Sequence, residues 1–291
     1  MTASTASRPW RALLLVLCSA LLAACAPFHR SIGAAERAKL PEVDVRVVVA
    51  QESFMFSAQP PGAAAALGGG MIGALIDSSV QQARQKEMSA EVGATVGPLL
   101  DYDYRTEAGI ALGEIGATGL HPPLRIASAQ VLPAMPPKAQ HEARIAATRN
   151  GPAYLVLLLQ YALEPGLGAF TTRTTALLWQ GGGSEPVYRA GAIYQSPIGG
   201  GTRPTVVRRL VANDGQALRA VMRDSVMQTL RLFALDIAGA RAGPVKTARF
   251  NVNGTWVVIG GQGIEDTQAG APRVLFRDED KALYSIRSTV P

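Results

Sequence analysis

The chain of 291 residues contains little cysteine and little histidine, and it lacks long apolar runs. Its two cysteines, Cys18 and Cys25, lie near the N-terminus, so the rest of the chain cannot cross-link itself by a disulfide. Its three histidines and two cysteines form no cluster of three or four residues at ligand spacing, which argues against a zinc site. The apolar run at residues 12–24 is shorter than the roughly 20 residues of a membrane-spanning helix. The folded part must therefore be stabilised by packing alone.

Common catalytic and nucleic-acid-binding motifs are also missing. The sequence has no Gly-x-Ser-x-Gly elbow and no Ser-x-x-Lys pair for a serine nucleophile. The glycine clusters at 199–201 and 260–263 lack the Lys-Ser/Thr pair of a phosphate-binding loop. Arginines are scattered, and Arg208-Arg209 is the densest basic pair, so no basic patch marks a nucleic-acid surface. We therefore predict a protein without enzyme activity, cofactor or nucleic-acid partner.

The N-terminus has the three parts of a secretory signal peptide. Arg8 and Arg11 precede the uncharged residues 12–24, and the run ends in Leu22-Ala23-Ala24-Cys25. This ending resembles the lipobox of bacterial lipoproteins, in which a leucine and two small residues precede an invariant cysteine. The resemblance implies that the Cys25 thiol receives a diacylglycerol through a thioether. It also implies that cleavage before Cys25 frees the amine for a further acyl chain.

Acyl chains on Cys25 would decide where the protein is found. One chain holds a protein only marginally, whereas two or three, at about 0.8 kcal/mol per buried methylene, hold it firmly. Ala26 stands where an aspartate favours inner-membrane retention in enterobacterial lipoproteins. We therefore predict an outer-membrane protein that is anchored by lipid and faces the periplasm. The alternative is a soluble secreted protein that is cut near Ala24 and in which Cys25 has no role.

We divide the chain into four parts. Residues 1–24 form the signal peptide, and residues 25–40 carry the lipidated cysteine and a polar tether that holds the fold off the membrane. Residues 41–240 form an α+β domain, and residues 245–291 form a β-rich C-terminal subdomain. Without the signal, which contains two arginines, the formal net charge falls from +6 to +4.

The hydrophobic patterns predict an α+β fold, with a mostly antiparallel sheet covered by helices and a small β-rich C-terminal extension. Short turns separate the apolar segments 154–163, 169–180 and 187–196, which is typical of an antiparallel meander. Further strands are predicted at 43–50, 124–132, 255–259, 273–277 and 282–287, and helices within 92–119 and at 138–149 and 213–238.

The segment Gly62–Ile76 (GAAAALGGGMIGALI) contains no charge and is rich in glycine and alanine. Small residues recur at spacing four, including Gly69 and Gly73, a pattern through which membrane helices pack closely. We predict a helix here. Each glycine costs a free helix about 1 kcal/mol relative to alanine, so close packing must offset that cost. The segment either packs inside the domain or associates with a membrane or another protein, and both interpretations stay open.

These observations favour a non-catalytic envelope lipoprotein with a binding or assembly role at the outer membrane. Its one predicted modification site is Cys25, and its predicted partners are the membrane and a protein, or a second copy, at Gly62–Ile76. The first alternative is an oligomeric assembly or pore component that uses this segment as a glycine zipper. The second is a periplasmic glycan or lipid hydrolase with Asp101, Asp103 and His121, because paired carboxylates can cleave glycosidic bonds.

Overall fold

A computed structural model describes residues 28–40, 42–56, 97–118, 124–164, 166–252, 255–266 and 273–287. Cys25, Gly62–Ile76 and His121 lie outside these described residues. Within them the helices are α1 (Ala34–Ala38), α2 (Tyr104–Thr118), α3 (Lys138–Ala147) and α4 (Arg203–Ala238). The strands are β1 (Glu42–Val48), β2 (Met55–Phe56), β3 (Arg125–Leu132), β4 (Ala153–Leu163), β5 (Ala169–Trp179), β6 (Tyr188–Pro197), β7 (Ala242–Val252), β8 (Thr255–Ile264), β9 (Arg273–Arg277) and β10 (Leu283–Arg287).

All the described strands join one sheet with the order β3-β1-β4-β5-β6-β10-β9-β8-β7, and the short β2 pairs with the end of β4. The α+β class is confirmed, and so is the antiparallel meander β4–β5–β6. The prediction of a mostly antiparallel sheet is wrong, because the sheet is mixed. β1 runs parallel to both β3 and β4, and β10 runs parallel to β6. Long connections that include α2, α3 and α4 return the chain to the end of the sheet where the previous strand began, so the next strand runs parallel to it. The short turns seen in the sequence do not reveal these parallel pairs.

The strands that follow α4 continue this sheet. β10 is bonded to β6, and β9, β8 and β7 extend the sheet outward from it as antiparallel neighbours. The strand β7 was not predicted, since its sequence AGPVKTARFNV mixes small, charged and turn-forming residues. It is an outer strand with β8 as its neighbour in the sheet, a position that tolerates such a composition.

Helices α2 and α4 pack together on one face of the sheet, and the large core lies beneath them. Strand β4 shows why both faces are covered: Leu155 and Leu157 point into that core, whereas Tyr154 and Val156 point to the opposite face. There they meet Ile145 of α3 in a smaller apolar cluster. This explains the continuous apolar sequence of β4, which is typical of strands buried on both sides.

The opposite face is also covered near β6, where the β7–β8 hairpin folds back over it. The Asn251 amide donates a hydrogen bond of 2.7 Å to Oε1 of Gln195, and Nε2 of Gln195 donates one of 3.0 Å to the Asn251 carbonyl. Phe250 and Phe276 join Tyr284 in an apolar cluster on the same face. The hairpin therefore takes, at this end of the sheet, the place that α3 takes at the other.

Helix α4 begins ten residues earlier than the predicted segment 213–238. It starts at Arg203 with Pro204 in its first turn, and a break at residues 212–215 interrupts it. Asn213 and Asp214, expected to cap a helix start, instead have left-handed backbone angles (φ 53° and 55°). The helix resumes after the break and ends at Gly239, whose φ of 72° is typical of a glycine C-cap.

The N-terminal segment differs from the expected tether over residues 30–40. The Arg30 amide donates to the Arg189 carbonyl (2.7 Å), and the Arg189 amide donates to the Arg30 carbonyl (3.0 Å). Beyond this bridge to β6, Ile32 and Leu40 are buried in the main core, with 3% and 1% of their surface exposed. Residues 30–40 are therefore part of the fold.

Candidate functional site

An open groove lies between helix α2 and strand β3 and encloses about 430 Å³. Its helix wall is made of small residues together with Leu112, and its strand wall runs from Ile126 to Val131. Helix α2 is held in place by Ala108, Ala111 and Ile115, which recur at helical spacing and are buried in the core. The face of α2 toward the groove is therefore fixed by the packing of its other face.

Three glycines of α2 form most of the helix wall of this groove: Gly109, Gly113 and Gly116. No atom of the described chain lies within 4 Å of the position that a Cβ would take at any of the three. Close approach to the rest of the described fold therefore does not require these glycines. Each one weakens a helix by about 1 kcal/mol relative to alanine. Among the described residues, they leave a smooth strip of helix backbone uncovered beside β3.

The other wall of the groove, β3, is the outermost strand at its end of the sheet. It is bonded to β1 along one edge, and no described strand pairs along the other. Residues Ala127 to Gln130 are exposed, and Arg125, at the very start, is the only charged residue of the strand. Exposed strand edges are usually protected by charges or proline, since their free N–H and C=O groups can pair with another chain. The groove is therefore suited to bind an extended segment that adds a strand to β3.

The face of β1 and β3 that lies under α3 carries a charged cluster around Asp44. Its carboxylate accepts hydrogen bonds from Arg46, Ser128 and Arg144, the last at 3.1 Å. Arg46 is buried, and it also donates to the Val45 carbonyl at 2.9 Å. With three donors around it, the Asp44 carboxylate joins β1, β3 and α3. The cluster has the features of a structural ion network.

His141 of α3 lies next to this network among aromatic rings. Its Nδ1 is 3.4 Å from the Tyr154 hydroxyl, and its ring meets Trp179 edge-on with centroids 5.0 Å apart. Burial lowers the pKa of His141, and burial raises the pKa of Tyr154. Both side chains are thus held in their neutral forms near pH 7, which suits packing between α3 and the sheet.

The carboxylates considered for a hydrolase have structural partners or lie in turns. Asp103 caps α2: its Oδ1 accepts from the Arg105 amide and its Oδ2 from the Thr106 hydroxyl, both at 3.0 Å. Asp101 is exposed in the turn before the helix. At the β9–β10 turn, Asp278 accepts from the Ala282 amide at 2.8 Å, and burial raises the pKa of Asp278. Among these acids, Asp103 and Asp278 stabilise local backbone structure.

Two similar polar triads join α4 to the C-terminal strands. Tyr194 donates to Asp224 at 2.7 Å, and Arg273 pairs with the same carboxylate at 2.5 Å. In the second triad, Tyr188 donates to Asp236 at 2.8 Å, and Arg277 pairs with that carboxylate. Burial raises the pKa of both tyrosines, so the hydroxyls stay protonated and donate. Each triad ties β6 and β9 to one side of α4, which fits a structural role.

Of the predicted site residues, the structure describes Asp101 and Asp103, which lie just before α2, whereas Cys25, His121 and Gly62–Ile76 lie outside its described part. The α2–β3 groove was missed. Its signal was present in the spacing of Gly109, Gly113 and Gly116 on a predicted helix, but only the structure shows that β3 lies beside that face. Within the described residues, no group of three or more histidine, cysteine or acidic side chains could hold a metal ion.

Comparison with protein-family models gives no match, and comparison with curated proteins gives no significant match. None of the helices in the described residues is both long and apolar enough to cross a membrane.

Proposed function

We propose that this protein is an outer-membrane lipoprotein, anchored through acyl chains on Cys25, that binds or assembles other envelope components without catalysis. The observation that carries the proposal is Leu22-Ala23-Ala24-Cys25 at the end of a signal peptide. Its two small residues precede a cysteine that is the sole thiol left after cleavage. Two or three acyl chains there give stable membrane attachment, which a single chain does not.

The anchor is tested by growing cells that express the protein with an alkyne fatty acid and detecting label on the purified chain. We expect label on the wild type and none on Cys25→Ser. Ser31→Ala is the matched control, since Ser31 is an exposed residue a few positions along the same segment, and it should be labelled like the wild type. Equal label on wild type and Cys25→Ser would contradict lipidation at Cys25.

The α2–β3 groove supports the binding role. A partner segment in extended conformation would hydrogen-bond to the free edge of β3, while the glycine strip of α2 leaves room for its side chains. Main-chain bonds of this kind supply affinity, and the shape of the groove supplies selectivity. The binding role therefore requires a partner that presents a strand edge or an unfolded segment.

This binding role is tested by placing a photo-crosslinking amino acid at Ala129, an exposed groove residue that pairs with the core-facing Val45 and so lies on the α2 side of β3, in living cells. We expect a discrete crosslinked product that is lost when Gly113→Leu fills the groove. Glu142 on α3 is exposed and lies on the opposite face of the sheet from α2, so a crosslinker there is the control and should give no such product. A product at Ala129 that persists with Gly113→Leu would contradict binding in the groove.

Self-association is a second candidate, favoured by the same free edge of β3. Two copies paired edge to edge about a two-fold axis would form one continuous sheet and protect both edges. The mass of the product at Ala129 distinguishes the candidates: twice the chain mass indicates self-association, and any other mass indicates a different partner.

A further inference from the structure

We propose that the surface around Phe28 rests on the phospholipid headgroups of the leaflet that holds the acyl chains of Cys25. This inference depends on the proposed lipid anchor and adds an orientation to it. The fold would then lie against the membrane with one defined end, rather than hang from a free tether.

The segment between Cys25 and the folded part of the chain is short. Arg30 is fixed to β6 by two main-chain hydrogen bonds, and it follows Cys25 by only five residues. At about 3.3–3.6 Å per residue, a fully extended chain of that length reaches roughly 17 Å. A folded domain of about 250 residues has a radius of gyration of roughly 18 Å, so its diameter far exceeds this reach. A lipid on Cys25 therefore holds the Arg30 end of the fold at the membrane surface.

Residues 30–40 cannot easily detach from the fold and so lengthen the tether. Beyond Arg30, Ile32 and Leu40 are buried in the main core. Arg37 also donates to the Ile32 carbonyl at 3.3 Å and lies against Gly239 at the end of α4. Release of residues 30–40 would expose two apolar side chains of the core and break the bridge to β6. The short reach is therefore a property of the folded protein.

The surface around Phe28 combines an exposed aromatic ring with a cation. Phe28 is exposed over 47% of its surface, although it is a large aromatic residue. Its ring lies against Gly191, where β6 has no side chain, and the Arg189 guanidinium lies 5.8 Å from the ring centre. Phenylalanine occurs on the apolar face of segments that lie in the membrane interface, and arginine pairs with phosphate. A phenylalanine beside an arginine thus fits the boundary between glycerol backbone and headgroup.

The net charge of the segment points the same way. Residues 28–40 carry the cations Arg30, Arg37 and Lys39 against the single anion Glu36. Burial lowers the pKa of His29, so this histidine adds no charge near neutral pH. A basic segment next to a lipid anchor is attracted to anionic headgroups, and this attraction decreases with added salt.

The proposal is tested with spin labels on the full, lipidated protein in vesicles of phosphatidylethanolamine and phosphatidylglycerol. The mature chain has no thiol besides Cys25, so one introduced cysteine is labelled without background. Ser31→Cys places the label at an exposed position next to Arg30 and leaves Phe28 in place. Leu100→Cys is the matched control. It is 45% exposed and lies just before α2, whose Tyr104 stacks on Tyr161 of β4. Tyr161 is at the end of the sheet farther from the Arg30–Arg189 bridge, because Arg189 lies level with Val156 near the start of β4.

We expect the label at position 31 to show a severalfold higher ratio of oxygen to nickel-complex collisions than the label at position 100, which should behave as in water. Equal, water-like ratios at both positions, in protein whose N-terminal mass shows acylated Cys25, would overturn the proposal and leave the anchor intact. A mass without acyl chains would instead reject the anchor and with it the orientation that depends on it.

Discussion

Glu107 shows how single residues fix the arrangement of the helices. This carboxylate of α2 is 1% exposed and is paired with two arginines of α4, Arg219 at 2.8 Å and Arg223 at 2.5 Å. Arg219 also lies over the ring of Tyr102, 5.2 Å from its centre. One buried charge with two cationic partners thus sets the position of α2 against α4, and with it the position of the groove.

We predict that Glu107→Ala lowers the free energy of unfolding by about 3 kcal/mol, the lower end of the effect of breaking a buried ion pair. The lower end applies because both arginines are partly exposed, so water can solvate them once the carboxylate is gone. Urea denaturation followed by circular dichroism measures this. Glu114→Ala, at an exposed position of the same helix, is the control and should change stability by less than about 0.5 kcal/mol.

Gly215 is a residue whose backbone angle and packing both exclude a side chain. Its φ is 69°, and a Cβ there would overlap the ring of Tyr102. We predict that Gly215→Ala destabilises the protein by about 2–4 kcal/mol, from the left-handed angle and the overlap together.

Gly113→Ala is its counterpart, because the added methyl meets no described atom within 4 Å on a regular helix. That variant should gain up to about 1 kcal/mol in stability. The midpoint temperatures of thermal unfolding measure both effects. A shift of both variants in the same direction from the wild type would contradict the prediction.

His141 gives a pH dependence whose sign follows from its burial. Because burial lowers its pKa in the folded protein from 6.5, the unfolded chain binds a proton first as the pH falls. The contribution of neutral His141 to the free energy of unfolding is therefore fully present above about pH 6.5, and it is lost as the pH falls below that. We predict that His141→Gln flattens the decrease in stability between about pH 7 and pH 5. His29, whose pKa burial also lowers, keeps part of the slope. An unchanged slope in His141→Gln would show that His141 titrates equally in both states.

At the scale of elements, local patterns predicted most strands and helices, because their apolar residues recur at the correct spacing. The segments 154–163, 273–277 and 138–149 match β4, β9 and α3 within one or two residues. Besides strand β7, two kinds of feature were missed. The mixed character of the sheet comes from which strands become neighbours after a helical crossover, and spacing along the chain does not contain that information.

The break in α4 is the second kind. Asn213 and Asp214 are residues that favour helix starts, and they were predicted as caps. The structure uses them, with Gly215, in a left-handed turn inside a longer helix. Tyr102 fills the space beside Gly215, and Arg219 donates to the Asp214 carbonyl at 2.9 Å. Contacts with α2 and the turn before it thus decide between two local conformations that both suit this sequence.

At the scale of the whole molecule, the predicted anchor and the groove found in the structure carry different parts of the proposed function. The lipobox is a local motif and can be recognised from four residues. The groove requires α2 and β3 to meet, so neither its glycines nor its strand edge could be identified as a binding surface beforehand. The burial of Ile32 and Leu40 likewise depends on distant parts of the chain, and it turns an expected tether into part of the fold.

The central claim is lipid anchoring at Cys25, and cell fractionation with mass spectrometry of the mature N-terminus tests it most directly. We predict that the wild type is found in the outer membrane and begins at an acylated Cys25, whereas Cys25→Ser is soluble in the periplasm. A wild-type protein whose N-terminus carries no acyl chain, or a Cys25→Ser variant that stays in the membrane after removal of its signal, would contradict the account.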